Sequence, residues 1–226
     1  MASPEESLRI DTAKGPVSAM YARPRSPFAT IVVAHGAGAG MDHPFLVGFT
    51  RACVDEGLAT FRFNFPYIES GRRSTDTEAV LRDAWRAAFE AAAARRKKEP
   101  VWASGKSLGG RLASMCAADA EISPAGLVFL GYPLHPPGKP ERIRDEHLYR
   151  IEVPMLFLQG TSDPFASPDL LRRVVKKLGD RATLVPFEGA GHSFEVRGEG
   201  RGRKRDPREV GASLAPHAAA FIREHL

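Results

Sequence analysis

An alternation of short apolar runs with longer segments of helical period constrains this chain more than any other feature. Ala29–Ala34 reads Ala-Thr-Ile-Val-Val-Ala, continuous, β-branched and ended by glycines, which predicts a buried strand. Residues 59–65 set Phe61, Phe63 and Phe65 at period two and predict a second. Further runs at 101–103, 127–130, 155–158 and 183–187 predict four more. Between them apolar residues recur at helical spacing, over 44–56 (closed by Gly57), 108–119, 168–178 and 209–225. Another helix starts near Ser74 or Thr75, and its basic end, Arg95-Arg96-Lys97-Lys98, suits the negative pole of a helix dipole. Residues 7–10 and 17–22 are expected to open the chain as an antiparallel pair. Strands alternating with helices specify an α/β fold, a mostly parallel sheet with helices on both faces. Ligands bind such sheets beyond the carboxyl ends of the strands, so the loops there should hold the chemistry.

The composition suits that fold. Of 226 residues, 43% are hydrophobic and 26% charged, as in soluble globular proteins. Residues 1–226 read as a single domain that buries roughly 70% of its unfolded surface. The two cysteines, Cys53 and Cys116, both fall on helical stretches and predict buried thiols, which favours a reducing compartment. The opening Met-Ala-Ser-Pro-Glu-Glu has neither the basic lead nor the apolar run of a secretory signal, and no later stretch approaches a membrane span. A cytoplasmic protein without a membrane partner is expected. The net charge of +5 has a local source in 197–208, where six basic and two acidic residues are interrupted by Gly198, Gly200 and Gly202. No aromatics interleave there, so the segment reads as a solvated loop and no nucleic-acid partner is expected.

The strongest motif is Gly105-Lys106-Ser107-Leu108-Gly109, set between a strand and a helix. A nucleophile on a tight, strained turn leaves no room for Cβ atoms two residues either side, hence the glycines. The helix beyond it aims N–H groups at developing negative charge. A phosphate-binding loop would need glycine at position 100, which is Pro100. His35-Gly36-Ala37-Gly38-Ala39-Gly40 follows Ala29–Ala34. It fails as a dinucleotide fingerprint, because Met41 stands where the third glycine belongs. It fits a loop that turns a backbone N–H towards the nucleophile, with His35 as a hydrogen-bonding brace. The spacing of His35, Asp42 and His43 matches no common metal site, and neither a metal nor an organic cofactor is expected.

A serine hydroxyl needs a base at neutral pH, and the base needs an orienting carboxylate. Asp163 follows the run 155–158 in Gly160-Thr161-Ser162-Asp163-Pro164, and His192 follows 183–187 in Gly189-Ala190-Gly191-His192-Ser193-Phe194. Ser107, Asp163 and His192 therefore share one sheet edge in the order nucleophile, acid, base. Asp145 and Asp169 are rival acids, and neither directly follows a strand.

These motifs resemble the α/β-hydrolase superfamily, in its small dienelactone-hydrolase-like branch, along nearly the whole chain. Arg62-Phe63-Asn64-Phe65-Pro66-Tyr67 and the stretch 131–140 are similar to a narrower group of predicted hydrolases, which includes a non-enzymatic subunit of a chromatin-modifying complex. Dienelactone hydrolases use a cysteine where Ser107 stands, which argues against a dienelactone substrate. The resemblance implies a serine hydrolase of carboxylesterase type, with an oxyanion hole from the N–H groups of Ala37 and Leu108. A hydrolase-shaped binding or scaffold protein is the alternative. Lids in this superfamily are usually inserted between strands 6 and 7. Here that stretch, 132–153, is short and holds prolines at 133, 136, 137 and 140, so no cap domain is expected and the partner should be a small or short-chain ester. Tyr67, Tyr132, Phe165 and Phe194 are candidate walls of the substrate site or, equally, core residues. Arg72 and Arg73 are solvated-loop residues or a seat for an acidic group. Oligomeric state is left open.

Overall fold

The apolar runs form one eight-stranded sheet in the computed structural model, which describes residues 4–196 and 205–226. The strands are β1 (Glu5–Ile10), β2 (Val17–Ala22), β3 (Ala29–Ala34), β4 (Leu58–Phe63), β5 (Val101–Lys106), β6 (Leu127–Leu130), β7 (Met155–Gly160) and β8 (Ala182–Phe187). Their order across the sheet is β1-β2-β4-β3-β5-β6-β7-β8. β1 and β2 pair antiparallel, β2 meets β4 antiparallel, and every other pairing is parallel. The helices are α1 (Pro44–Asp55), α2 (Pro66–Glu69), α3 (Glu78–Arg95), α4 (Leu108–Ala118), α5 (Pro168–Leu178), α6 (Pro207–Ala212) and α7 (Ala215–Glu224).

The central strands β3 to β7 are buried at every position because both faces are covered. In β3, Val32 and Ala34 join the core under α3, α4 and α5, while Ile31 and Val33 join the core under α1, α6 and α7. β7 divides the same way, Met155 and Phe157 to one side, Leu156 and Leu158 to the other. Cys53 and Cys116 are free, buried thiols, one in each layer.

Three elements depart from expectation. β5 runs on through Ser104, Gly105 and Lys106, which carry no strand signal. Ladders to β3 and β6 on either side hold them extended up to the turn. The helix expected from residue 74 starts at Glu78 instead, and α2 fills part of the connection before it. The last helix is two, α6 and α7, because Pro216 lacks an N–H and its ring would clash with the carbonyl four residues back. Among the described residues no helix is long and apolar enough to cross a membrane. Most of the basic loop, 197–204, lies outside the described residues.

The stretch between β6 and β7 holds one short 3₁₀ turn, Glu146–Arg150, and no cap domain. It leaves the carboxyl end of β6, packs its 3₁₀ turn against α4 and returns to the start of β7.

Candidate active site

Ser107 sits where β5 turns into α4, at φ 50° and ψ −115°, a backbone conformation that costs a residue with a side chain roughly 1–3 kcal/mol. The neighbouring glycines make this turn possible. A Cβ on Gly105 would stand 2.5 Å from the Gly109 and Gly110 backbone, and one on Gly109 would stand 2.6 Å from the Ala34 and His35 carbonyls. The hydroxyl of Ser107 does not cap its own helix. That leaves it available for chemistry on a partly exposed residue.

The His35 loop lies against this turn. A Cβ on Gly36 would come 3.6 Å from Ser107 Cβ. His35 is fully buried, with Nδ1 2.8 Å from the Gly36 carbonyl and Nε2 accepting from the Phe65 amide at 3.0 Å. Burial pulls its pKa down to about 4, so the ring is a neutral brace with both nitrogens occupied. Asn64 fixes the far side of the loop, accepting from the Met41 amide at 2.8 Å and donating to Glu69 at 3.0 Å. Among the described residues, the Ala37 and Leu108 amides have no acceptor. Leu108 is the first residue of α4, where an N–H has no partner inside the helix.

Asp163 and His192 stand on the next two loops along the edge. Asp163 is completely buried at its side chain, and its Oδ2 is 2.7 Å from His192 Nδ1. The same oxygen accepts from Gln159 Nε2 at 2.6 Å, and Oδ1 accepts from the Phe165 amide at 2.8 Å. A carboxylate held this way fixes the imidazole with Nδ1 protonated and Nε2 open as a base. Gly160 lets the two loops touch, since any Cβ there would run into the Ala190 and Gly191 carbonyls. Neither rival acid competes: Asp145 accepts from the Tyr149 hydroxyl at 2.6 Å, and Asp169 is paired with Arg172 at 3.2 Å.

Two positioning groups were not foreseen. Lys106, buried beside the nucleophile turn, donates Nζ to the His192 carbonyl at 2.6 Å. Burial pulls its pKa down to about 8, against the opposing field of Asp163 and Glu195. Gln159 joins Asp163 to the Tyr132 amide, which donates to its Oε1 at 2.7 Å. Each stands at the carboxyl end of a buried strand, beyond the apolar run that marks the strand in the sequence, so neither carried a signal of its own.

The expected aromatic walls need correction. Tyr67 and Tyr132 are fully buried in the core beneath α3 and α4, and Phe194 stacks on Phe45 in the opposite core. Packing on all sides leaves them no face for a substrate. Only Phe165 stands at the site, its ring centroid 4.3 Å from that of His192. Arg72 is paired with Asp76 at 2.6 Å and Arg73 is exposed. Two open surface depressions, beside Ser167 and beside Arg82, are lined by none of Ser107, Asp163 and His192.

Solved structures share this architecture over almost their full length. XC6422 from Xanthomonas campestris, described as an α/β serine hydrolase without lid, is 21% identical at a TM-score of 0.73, with 98% of this chain and 96% of that one covered. A dienelactone hydrolase from Anabaena variabilis is 18% identical at a TM-score of 0.76 and covers 100% of both chains. Est1E from Butyrivibrio proteoclasticus, in a structure with ferulic acid bound, is 16% identical at a TM-score of 0.73, over 96% of this chain and 98% of its own. Identities this low speak to the fold. The sequence match is independent of them: residues 27–223 fit the family described as Alpha/beta hydrolase domain, and with the strand order and loops above, the chain belongs to the α/β-hydrolases.

Proposed function

We propose that this α/β-hydrolase is a serine carboxylesterase acting on small or short-chain esters through Ser107, His192 and Asp163. The observation that carries the reading is the 2.7 Å contact between His192 Nδ1 and a wholly buried Asp163 carboxylate. It sits on the sheet edge that holds a strained serine. A surface turn has no physical reason to bury an acid against a histidine in this way.

In the reaction Ser107 Oγ attacks the acyl carbonyl while His192 Nε2 takes its proton. Asp163 holds the imidazole and stabilises its charged form. The Ala37 and Leu108 N–H groups receive the oxyanion, each lowering the barrier by roughly 3 kcal/mol if aligned. His192 returns the proton to the departing alcohol, and water releases the acyl group by the reverse path. The route uses no cofactor.

A fluorophosphonate probe tests it. Wild-type protein should be labelled at Ser107 and hydrolyse 4-nitrophenyl acetate. Ser107→Ala should fold, escape labelling and lose turnover by about 10⁶-fold. Labelling at a different serine would overturn the assignment.

A further inference from the structure

Helix α4 carries an arginine one turn beyond Ser107. The Arg111 amide donates to the Ser107 carbonyl at 3.0 Å, so both residues share one helix face, about 6 Å apart along the axis. The connection between β6 and β7 is fastened over this face. Ser114 Oγ donates to the Arg111 carbonyl at 2.7 Å and lies 2.8 Å from His147 Nε2. That nitrogen is also 3.1 Å from the Tyr132 hydroxyl, which donates to the Arg144 carbonyl at 3.4 Å. The Arg144 amide in turn donates to Leu134 at 2.8 Å.

This network holds the Arg144 backbone alongside the Arg111 turn of α4. Arg111 Nε is shut off from water and meets no acceptor. The acids nearby are committed elsewhere: Asp119 and Glu121 to Arg82, Asp119 also to Arg150, and Asp145 to Tyr149. Among the described residues, neither guanidinium forms an ion pair. Partial shielding from water first, and then the charge of Arg111, hold Arg144 below the usual arginine range. Two neighbouring cations repel, and a planar oxyanion received by both forks would relieve that repulsion.

We propose that Arg111 and Arg144 form a carboxylate subsite for the far end of an acidic acyl group, so that half-esters of short dicarboxylic acids are the preferred substrates. The substrate half of this inference rests on Ser107 being the nucleophile. The short step from Ser107 to Arg111 along α4 suits an acyl chain of only a few carbons.

Mono-4-nitrophenyl succinate and 4-nitrophenyl butyrate have acyl chains of equal carbon number and differ in the terminal carboxylate. The wild type should favour the succinate in kcat/KM by roughly tenfold to a hundredfold. Arg111→Gln and Arg144→Gln should each collapse that ratio, chiefly by raising KM for the succinate. Arg144 is exposed, so its variant keeps the test sound if Arg111→Gln does not fold. Wild-type turnover of both esters at similar kcat/KM would overturn the subsite and leave the esterase reading standing. Calorimetric titration of Ser107→Ala protein with monomethyl succinate reads the subsite without turnover. If neither ester is hydrolysed, the esterase reading fails; binding that weakens when either arginine is also replaced then supports the carboxylate subsite, and no binding by Ser107→Ala overturns it.

Discussion

Lys106 donates its side chain to the main-chain carbonyl of His192 at 2.6 Å, so the residue before the candidate nucleophile holds the loop that carries the candidate base. The tether spans two strands of the sheet and is part-buried. Its effect is on distance: it keeps the imidazole loop beside the serine turn.

Lys106→Met should therefore act on kcat more than on KM. Loss of the tether lets the His192 loop drift, and a misplacement of about 1 Å can cost a hundredfold in rate. Steady-state kinetics on a short-chain ester decide it. A variant with wild-type kcat would mean that the Asp163 contact alone positions the ring.

Asp163→Asn should fold and lose turnover by about 10⁴-fold, because an amide donates to Nδ1 and leaves the wrong imidazole nitrogen protonated. Asp145→Asn removes only the acceptor for Tyr149 and should retain activity. If Asp145→Asn proved the damaging change, the acid would have to be reassigned.

His35 ties stability to pH. Its pKa is about 4 in the folded chain against an ordinary 6.5, so below 6.5 the unfolded chain takes up a proton that the folded chain refuses. Its stabilising contribution is thus complete above pH 6.5 and is lost as pH falls towards 4, on the order of 3 kcal/mol in all. Urea unfolding of wild type and His35→Asn at steps across that window isolates the effect, since carboxylates titrate in both. Parallel pH slopes would show that His35 is not buried neutral.

The outline of the candidate site was legible in the sequence because backbone demands write themselves into residue type. Gly105 and Gly109 mark a turn that no Cβ tolerates, and the order of Ser107, Asp163 and His192 follows from three strand ends on one edge. The parallel core was legible for a similar reason, since β3 and β7 each hold a run of apolar residues facing both layers. The substrate walls were not. Tyr67, Tyr132 and Phe194 have the composition of a pocket lining, yet whether an aromatic ring faces a cleft or a core depends on packing across elements distant in sequence. Lys106 was hidden for the opposite reason: a charged residue at the variable position of a motif looks solvated until its buried partner, the His192 carbonyl, is located. The break between α6 and α7 turned on Pro216, a local signal outweighed by the apolar period around it.

The stretch between β6 and β7 sets the last expectation, for neutral esters. It offers one 3₁₀ turn and no cap domain, so only the first few acyl carbons can be buried beside Ser107. Each methylene buried contributes about 0.8 kcal/mol, or about fourfold in kcat/KM. Specificity should climb from acetate to about butyrate, then level off or fall as the chain reaches water. No activation at a lipid interface should accompany it, since nothing among the described residues has to open. A series of 4-nitrophenyl esters from acetate to laurate measures the profile. A maximum at caprate or beyond would mean that the 132–153 stretch, or the basic loop, covers the site in solution and supplies the apolar wall that Tyr67, Tyr132 and Phe194 do not.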